Sequence, residues 1–187
     1  MATESWAPKW SEQVKVAITG GVDEVASVIA PGRVRRFRYP AAKLDTVPLF
    51  EVVDSFARAI DEIRPTIVYS VGPHDVNSDH AIVFRALTIA LKPMAAPTVR
   101  RFLSYEVPSS TDWAIGPAAG SFTPNVFVDI SLYFETKLTL VGTYHSQLRE
   151  VPHPRSLEGI RTLNRMRGLS IGTEYAEAFE LHRELVR

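Results

Sequence analysis

A continuous run of apolar residues, PTIVYSVG at 65–72, places the strongest constraint on the fold of this chain. A strand that is apolar at successive positions is typical of a parallel sheet covered by helices on both faces. Apolar residues at helical spacing precede this run over 47–63 and follow it over 80–91. This order predicts an α/β fold, Rossmann-like, with a mostly parallel sheet and flanking helices.

The rest of the sequence continues the alternation of strands and helices, which predicts a single domain over 1–187. Residues 14–30 are ambiguous, because they resemble a strand, a Gly-Gly turn and a helix but lack the spacing of a phosphate-binding loop. Further strands are predicted at 33–40, 100–107 and 125–130, and further helices at 131–146, 156–167 and 173–185.

Composition restricts the classes of function. The chain has 21 Lys and Arg residues and 21 Asp and Glu residues, so its net charge provides no general attraction for nucleic acid. It has no cysteine, which excludes disulfides and thiolate metal ligands. No signal-peptide pattern and no stretch of about 18 apolar residues occurs, so we expect a cytoplasmic protein without an integral membrane segment.

The loop HDVNSDH at 74–80 concentrates histidines and carboxylates at the carboxyl end of the predicted strand. Ligand sites in open α/β sheets lie at that edge, and imidazole with a neighbouring carboxylate is a common zinc-binding combination. The same residues also suit a helix N-terminus, where Asp79 complements the helix dipole. A catalytic zinc normally needs three protein ligands, and this loop offers at most two, so its residues alone leave both interpretations open.

Five separated stretches give the sequence a family resemblance. Together they resemble the PIG-L/LmbE family of zinc-dependent N-acetylglucosaminyl de-N-acetylases over about residues 12–187. The resemblance implies a Rossmann-like α/β domain and hydrolysis of the acetamide of an amino sugar. The stretches are PHDVNSDHAIVF, YEVPSSTDW, PNVFVDIS, YHSQLREVPHPRS and RMRGLSIGTEYAEAFEL.

The resemblance assigns roles to residues of the 74–80 loop. It implies that His80 is a zinc ligand and that Asp79 is the carboxylate supporting it. Asn77 matches a position that helps to polarise the acetyl carbonyl. Asp75 matches a substrate-binding position near the start of the loop, better than His74 does.

The remaining histidines receive weaker assignments. His145 matches a position near the substrate pocket. His153 belongs to the PHPRS stretch, and for both residues a structural role is an equal alternative to substrate contact. His182 is expected to lie on the surface of the last helix.

The sequence departs from the family where relatives carry a His-Pro-Asp-Asp-Glu-like motif after their first strand. That motif provides two zinc ligands and the general base, so His80 is the one matching ligand of three. A carboxylate elsewhere in the sequence, Asp45 or Asp129, is an alternative for the general base. The strands expected beside 65–72 are also missing, unless QVKVAIT at 13–19 replaces one of them.

Three hypotheses follow from this departure. In the first, the chain carries the C-terminal part of the site of a zinc-dependent hydrolase. In the second, it is a catalytically inactive sugar-binding protein. In the third, it is a fragment that depends on a partner. The expected ligand is a small-molecule or carrier-linked N-acetyl amino sugar such as N-acetylglucosamine. We expect zinc from the resemblance, no nucleic-acid partner, and a possible oligomer.

Overall fold

The computed structural model describes residues 22–28, 34–115 and 120–186. Short 3-10 helices lie at Leu44–Thr46 and Ser131–Tyr133. The α-helices are α1 (22–28), α2 (Leu49–Ile63), α3 (Ser78–Ala90), α4 (Phe134–Gly142) and α5 (Leu157–Leu169). The strands are β1 (Ile67–Val71), β2 (Arg101–Tyr105), β3 (Val126–Asp129) and β4 (Ala176–Glu184).

The described strands form one sheet of four strands in the order β1-β2-β4-β3. Strands β1 and β2 are parallel, with Ile67 opposite Arg101 and Val71 opposite Tyr105. Strand β4 is antiparallel to both β2 and β3. The predicted α/β class with flanking helices is confirmed, and the described sheet is mixed rather than mostly parallel.

The prediction of a helix over 173–185 is wrong, because these residues include strand β4. Ala176, Ala178 and Phe179 of this strand are buried in the sheet. Its sequence, AEAFELHRE, is rich in residues that favour helices. Hydrogen bonding to β2 on one side and to β3 on the other outweighs that local preference.

The predicted strand at 33–40 is not formed over its described part, residues 34–40. The backbone of Arg38 has a φ of 55°, which interrupts an extended conformation. The phenol of Tyr39 then donates to the carbonyl of Glu51 over 3.0 Å and lies 2.7 Å from Ser55 Oγ. The segment therefore packs on α2 as an irregular chain, while 13–19 lies outside the described residues.

Helices α2 and α3 cover one face of the sheet, as predicted with small shifts of their ends. Their shared core with β2 includes the buried residues Ile60, Leu91, Val99 and Phe102. Helix α3 follows β1 directly, so the loop between them lies at the carboxyl end of a parallel strand. Packing of α3 in this core holds the loop at the carboxyl edge of the sheet.

Helices α4 and α5 pack near the other end of the sheet, beside β4. The rings of Phe134 and Tyr175 stack with centroids 3.8 Å apart, and Leu138 and Ile160 complete this smaller core. The predicted helices at 131–146 and 156–167 are therefore present, the first one shorter than predicted. None of the helices in the described ranges has both the length and the apolar character needed to cross a membrane.

Candidate functional site

A buried carboxylate and a histidine are paired in the loop between β1 and α3. The side chain of Asp75 is 1% exposed, and its Oδ2 lies 2.6 Å from Nδ1 of His80. An ionised carboxylate only accepts hydrogen bonds, so this contact assigns the ring proton to Nδ1. The other ring nitrogen, Nε2, then has a lone pair with which to bind a cation or accept a proton.

Thr111 holds the second oxygen of this carboxylate. Its hydroxyl donates to Oδ1 of Asp75 over 2.6 Å and accepts from the backbone N–H of Val107 over 2.7 Å. The backbone N–H of Val76 also donates to the carbonyl of Ser110 over 2.9 Å. The loop after β2 therefore fixes the orientation of the carboxylate that orients His80.

Asn77 and Asp79 have backbone partners at the start of α3. Asn77 caps the helix by accepting from the N–H of Asp79 over 3.0 Å. The carboxylate of Asp79 accepts from the N–H groups of Ala42 (2.6 Å) and Leu44 (3.0 Å). The carboxylate placed on the His80 ring is thus that of Asp75, whereas Asp79 ties the 42–44 segment to the helix.

A cavity of about 330 Å³, which we call the first cavity, is connected to this network through Thr111, which lines the cavity and donates to Asp75, whereas Asp75 and His80 are not among its lining residues. Residues from four of the stretches that carry the family resemblance line it. Its lining includes His74 from the loop after β1, Glu106, Pro108, Thr111 and Asp112 from the loop after β2, Pro154, and Leu163, Met166 and Arg167 from α5. The loop at 120–122 closes another side.

An ion pair forms one wall of the first cavity. Arg167 donates through Nε and Nη2 to the two carboxylate oxygens of Glu106, over 2.9 and 2.6 Å. The two side chains are only 19% and 14% exposed. These hydrogen bonds raise the pKa of Arg167 above its usual value, so its guanidinium stays charged.

Two glycines permit close approaches of the backbone at this cavity. Gly120 has a φ of 70°, and a Cβ there would lie 2.6 Å from the ring of His74. A Cβ on Gly159 would lie 2.5 Å from the carbonyl oxygen of Pro154. The lack of a side chain at both positions lets the 120–122 loop and α5 come close enough to form the cavity walls.

Tyr105, the last residue of β2, lies near the buried carboxylate. Although 37% of its surface is exposed, burial of the phenol raises its pKa, and the negative charge of Asp75 raises it further. A phenol with a raised pKa stays protonated and remains a hydrogen-bond donor at neutral pH. Tyr105 begins the YEVPSSTDW stretch that carries the family resemblance, but sequence reasoning assigned it no individual role.

The other histidines lie apart from the paired carboxylate and histidine. His145 is exposed and lines a separate pocket with Arg149 and Glu158, so its predicted substrate contact stays a prediction. The ring of His153 packs on Trp113 with centroids 5.0 Å apart. His182 is exposed, as predicted, but it lies on β4 rather than on a helix; its Nε2 contacts Ser104 Oγ over 2.9 Å, and partial desolvation of the ring lowers its pKa.

The zinc expected from the family resemblance needs more ligands than this part of the chain supplies. Over 22–28, 34–115 and 120–186, no group of three or more His, Cys, Asp or Glu side chains could hold a metal ion. Asp45 lines a different pocket, and Asp129 accepts hydrogen bonds from Ser131, which lower its pKa. His80 and its carboxylate fit one corner of a zinc site, and these residues by themselves do not fit a complete catalytic centre.

Sequence reasoning missed three residues of the site. Thr111, Glu106 and Arg167 all lie within stretches that resemble the family, but their contacts join positions 36 and 61 residues apart. No local pattern encodes such pairs. Their presence in those stretches was the sequence's one weak indication that they belong to the site.

Comparison with known proteins supports the fold. No protein-family model matches the chain, and no curated protein matches its sequence. The conserved protein TT1542 from Thermus thermophilus is similar in structure, with a TM-score of 0.72 and 22% identity over 97% of this chain and 78% of that chain.

Two solved enzymes are also similar in structure. The N,N'-diacetylchitobiose deacetylase from Pyrococcus horikoshii gives a TM-score of 0.70 and 18% identity, over 91% of this chain and 65% of that chain. GalB, the 4-carboxy-2-hydroxymuconate hydratase from Pseudomonas putida KT2440, gives a TM-score of 0.57 and 18% identity, over 97% and 78%. At these identities the likeness concerns the fold, and the chain thus has the α/β fold of a chitobiose deacetylase.

Proposed function

We propose that the first cavity binds an N-acetylated amino sugar and that the chain carries part of the active site of a hydrolase that removes the acetyl group. One observation carries this proposal: residues from four of the stretches that resemble the deacetylases line one cavity, and one of them, Thr111, donates to the carboxylate that is paired with His80. The fold shared with a chitobiose deacetylase supports it.

The lining of the first cavity suits a sugar. Glu106, Asp112 and Arg167 supply charged hydrogen-bonding groups, and Leu163 and Met166 supply apolar surface. A pyranose ring presents hydroxyl groups around its edge and C–H groups on its faces, so it needs both kinds of contact. A volume of about 330 Å³ is within the range of small-ligand pockets.

His80 has the chemistry for the reaction that we propose. Asp75 accepts the Nδ1 proton and fixes the ring, so Nε2 serves either as a base toward water or as one ligand of a metal ion. A zinc ion would supply an activated water molecule and polarise the acetyl carbonyl. Further ligands would be needed to hold that ion, because the described residues fit one corner of such a site.

A second candidate function is binding of the sugar without hydrolysis. The incomplete set of metal ligands in the described part of the chain favours it. Dependence on a partner is a third candidate. In the described sheet β1 is paired on one side, by β2, and its Ile67 and Tyr69 are 41% and 49% exposed. A strand from a partner would cover this edge.

The purified 187-residue chain distinguishes these functions. Methyl N-acetyl-β-D-glucosaminide is titrated into it by calorimetry, and acetate release is measured with and without added Zn²⁺. We expect binding, and loss of binding in Arg167→Met. We expect acetate release only with added Zn²⁺ and only if residues outside 22–28, 34–115 and 120–186 complete the metal site, and His80→Ala should then abolish this release. Binding without acetate release under either condition supports the second candidate.

His145→Ala is the matched control, because this histidine lies in a separate pocket. We expect it to bind the sugar with the affinity of the parent protein. If His145→Ala abolishes binding while Arg167→Met does not, the sugar lies at His145 and the assignment to the first cavity is wrong. No binding at millimolar sugar rejects both the hydrolase and the binding protein.

A further inference from the structure

A second cavity of about 380 Å³ adjoins the first. It lies between β4, α4 and α5, and Tyr105 stands at its edge. The two cavities share a wall made of the ion pair between Glu106 and Arg167 together with Val107, Pro108 and Leu163. A ligand that extends past this wall would occupy both cavities.

The lining of the second cavity is mostly apolar. Val141 and Ile160 line it from the two helices, and Ala178 and Phe179 line it from β4. An apolar cavity of this size that opens beside a polar one is suited to the apolar part of an amphipathic ligand. A sugar ring alone would leave its hydroxyl groups without partners on the part of the wall made by Val141, Ile160, Ala178 and Phe179.

Apart from the shared ion pair, a polar cluster centred on Lys137 interrupts the apolar lining. Lys137 donates to Asn164 Oδ1 over 2.8 Å and to Glu177 Oε1 over 2.6 Å. The amide of Asn164, which is 4% exposed, donates in turn to the carbonyl of Ile160. Within the described residues these contacts use two of the three N–H groups of Lys137, so the third can donate to a ligand.

We propose that the second cavity binds the apolar aglycone of the amino sugar. This aglycone is about the size of one aromatic ring and carries a hydrogen-bond acceptor directed toward Lys137. This inference rests on the proposed function, since the sugar in the first cavity determines where the aglycone lies. It names the substrate class as an N-acetylated amino sugar linked to an apolar group. Free N-acetylglucosamine and its methyl glycoside occupy only the first cavity.

The experiment compares methyl N-acetyl-β-D-glucosaminide with its 4-nitrophenyl analogue by calorimetry on the full chain. We expect the 4-nitrophenyl glycoside to bind about tenfold more tightly, the effect of removing roughly 60 Å² of apolar surface from water. Val141→Phe fills the second cavity, so we expect it to abolish this preference and retain the affinity for the methyl glycoside. Val186→Phe, at a position that is 90% exposed, is the matched control and should preserve the preference.

Lys137→Met gives an independent measurement. We expect it to lower the affinity for the 4-nitrophenyl glycoside and leave that for the methyl glycoside unchanged. The melting temperature of each variant shows whether it folds. If Val141→Phe does not fold, Ile160→Phe replaces it.

The two proposals fail in different ways. Equal affinities for the two glycosides in the parent protein, or a preference that survives Val141→Phe, overturn the aglycone site and leave the sugar site in place. If the methyl glycoside does not bind, the proposed function fails. In that case 4-nitrophenol is the probe: binding that Val141→Phe abolishes retains an apolar site without a sugar, and no binding rejects the second cavity as well.

Discussion

Replacing Thr111 by valine tests whether its hydroxyl holds the carboxylate that orients His80. Valine has nearly the shape of threonine, so the change removes a donor and an acceptor with little loss of volume. It leaves Oδ1 of Asp75 and the N–H of Val107 without their 2.6 and 2.7 Å partners. Water cannot easily replace the first of these bonds, because the side chain of Asp75 is 1% exposed.

The expected loss of stability follows from the two bonds. A hydrogen bond to a charged group contributes about 1.5 to 3 kcal/mol, and one between neutral groups contributes about 0.5 to 1.5 kcal/mol. Because Thr111 is itself only half-buried, we expect the free energy of unfolding of Thr111→Val to fall by about 2 to 4 kcal/mol. In a domain of this size each kcal/mol lowers the melting temperature by about 2 to 4 °C.

Equilibrium unfolding in urea measures this effect, with Thr111→Ser as the control. Serine keeps the hydroxyl and loses one methyl group, so we expect it to cost less than about 1 kcal/mol. A Thr111→Val protein within about 0.5 kcal/mol of the parent, at an unchanged m-value, would refute the argument. In that case the contact between Asp75 and His80 would not depend on Thr111.

Three further predictions concern other contacts of the site. Asp79→Ala removes the acceptor of the 42 and 44 amides, and we expect faster hydrogen exchange at these amides with a loss of about 1 to 3 kcal/mol; unchanged exchange would contradict it. Gly159→Ala places a methyl group against the carbonyl of Pro154. We expect the free energy of unfolding, measured by thermal unfolding, to fall by about 1 to 3 kcal/mol and sugar binding to weaken. Unchanged stability and binding would show that the loop at Pro154 moves to accept the methyl group. Burial and a neighbouring carboxylate raise the pKa of Tyr105, so its contribution to stability is complete below the unfolded value of about 10 and is lost as pH rises from there through the folded value. Ultraviolet titration should show one tyrosine ionising later than the others, and Tyr105→Phe should remove that late step.

Local patterns in the sequence suffice for part of the fold. The spacing of apolar residues predicted α2, α3 and α5 because each helix buries one face against the sheet. The same reasoning failed at β4, where the local preference for helix is overridden by hydrogen bonds to strands that lie far away in the sequence. Such pairing is a property of the whole sheet, so a local window does not contain it.

The candidate site shows the same limit. The loop at 74–80 was predicted to lie at the carboxyl end of a strand, and the structure places it there. The family resemblance implied that Asp79 supports His80, whereas the turn into α3 brings the carboxylate of Asp75 onto the imidazole. The predicted catalytic and ligand roles of Asn77, Asp79 and His80 stay predictions.

The central position of β4 has a consequence for the order in which the chain folds. Strand β4 joins β2 to β3, and its partner residues in β2 lie about 75 to 85 positions earlier in the sequence. During synthesis β1, β2 and β3 therefore leave the ribosome before the strand that connects them, and β3 has no other partner in the described sheet. Contacts so distant in sequence slow folding and expose unpaired strand edges in the meantime. We therefore expect nascent chains that stop before residue 176 to engage chaperones, and release of the 176–184 segment to be the event that allows the sheet to close.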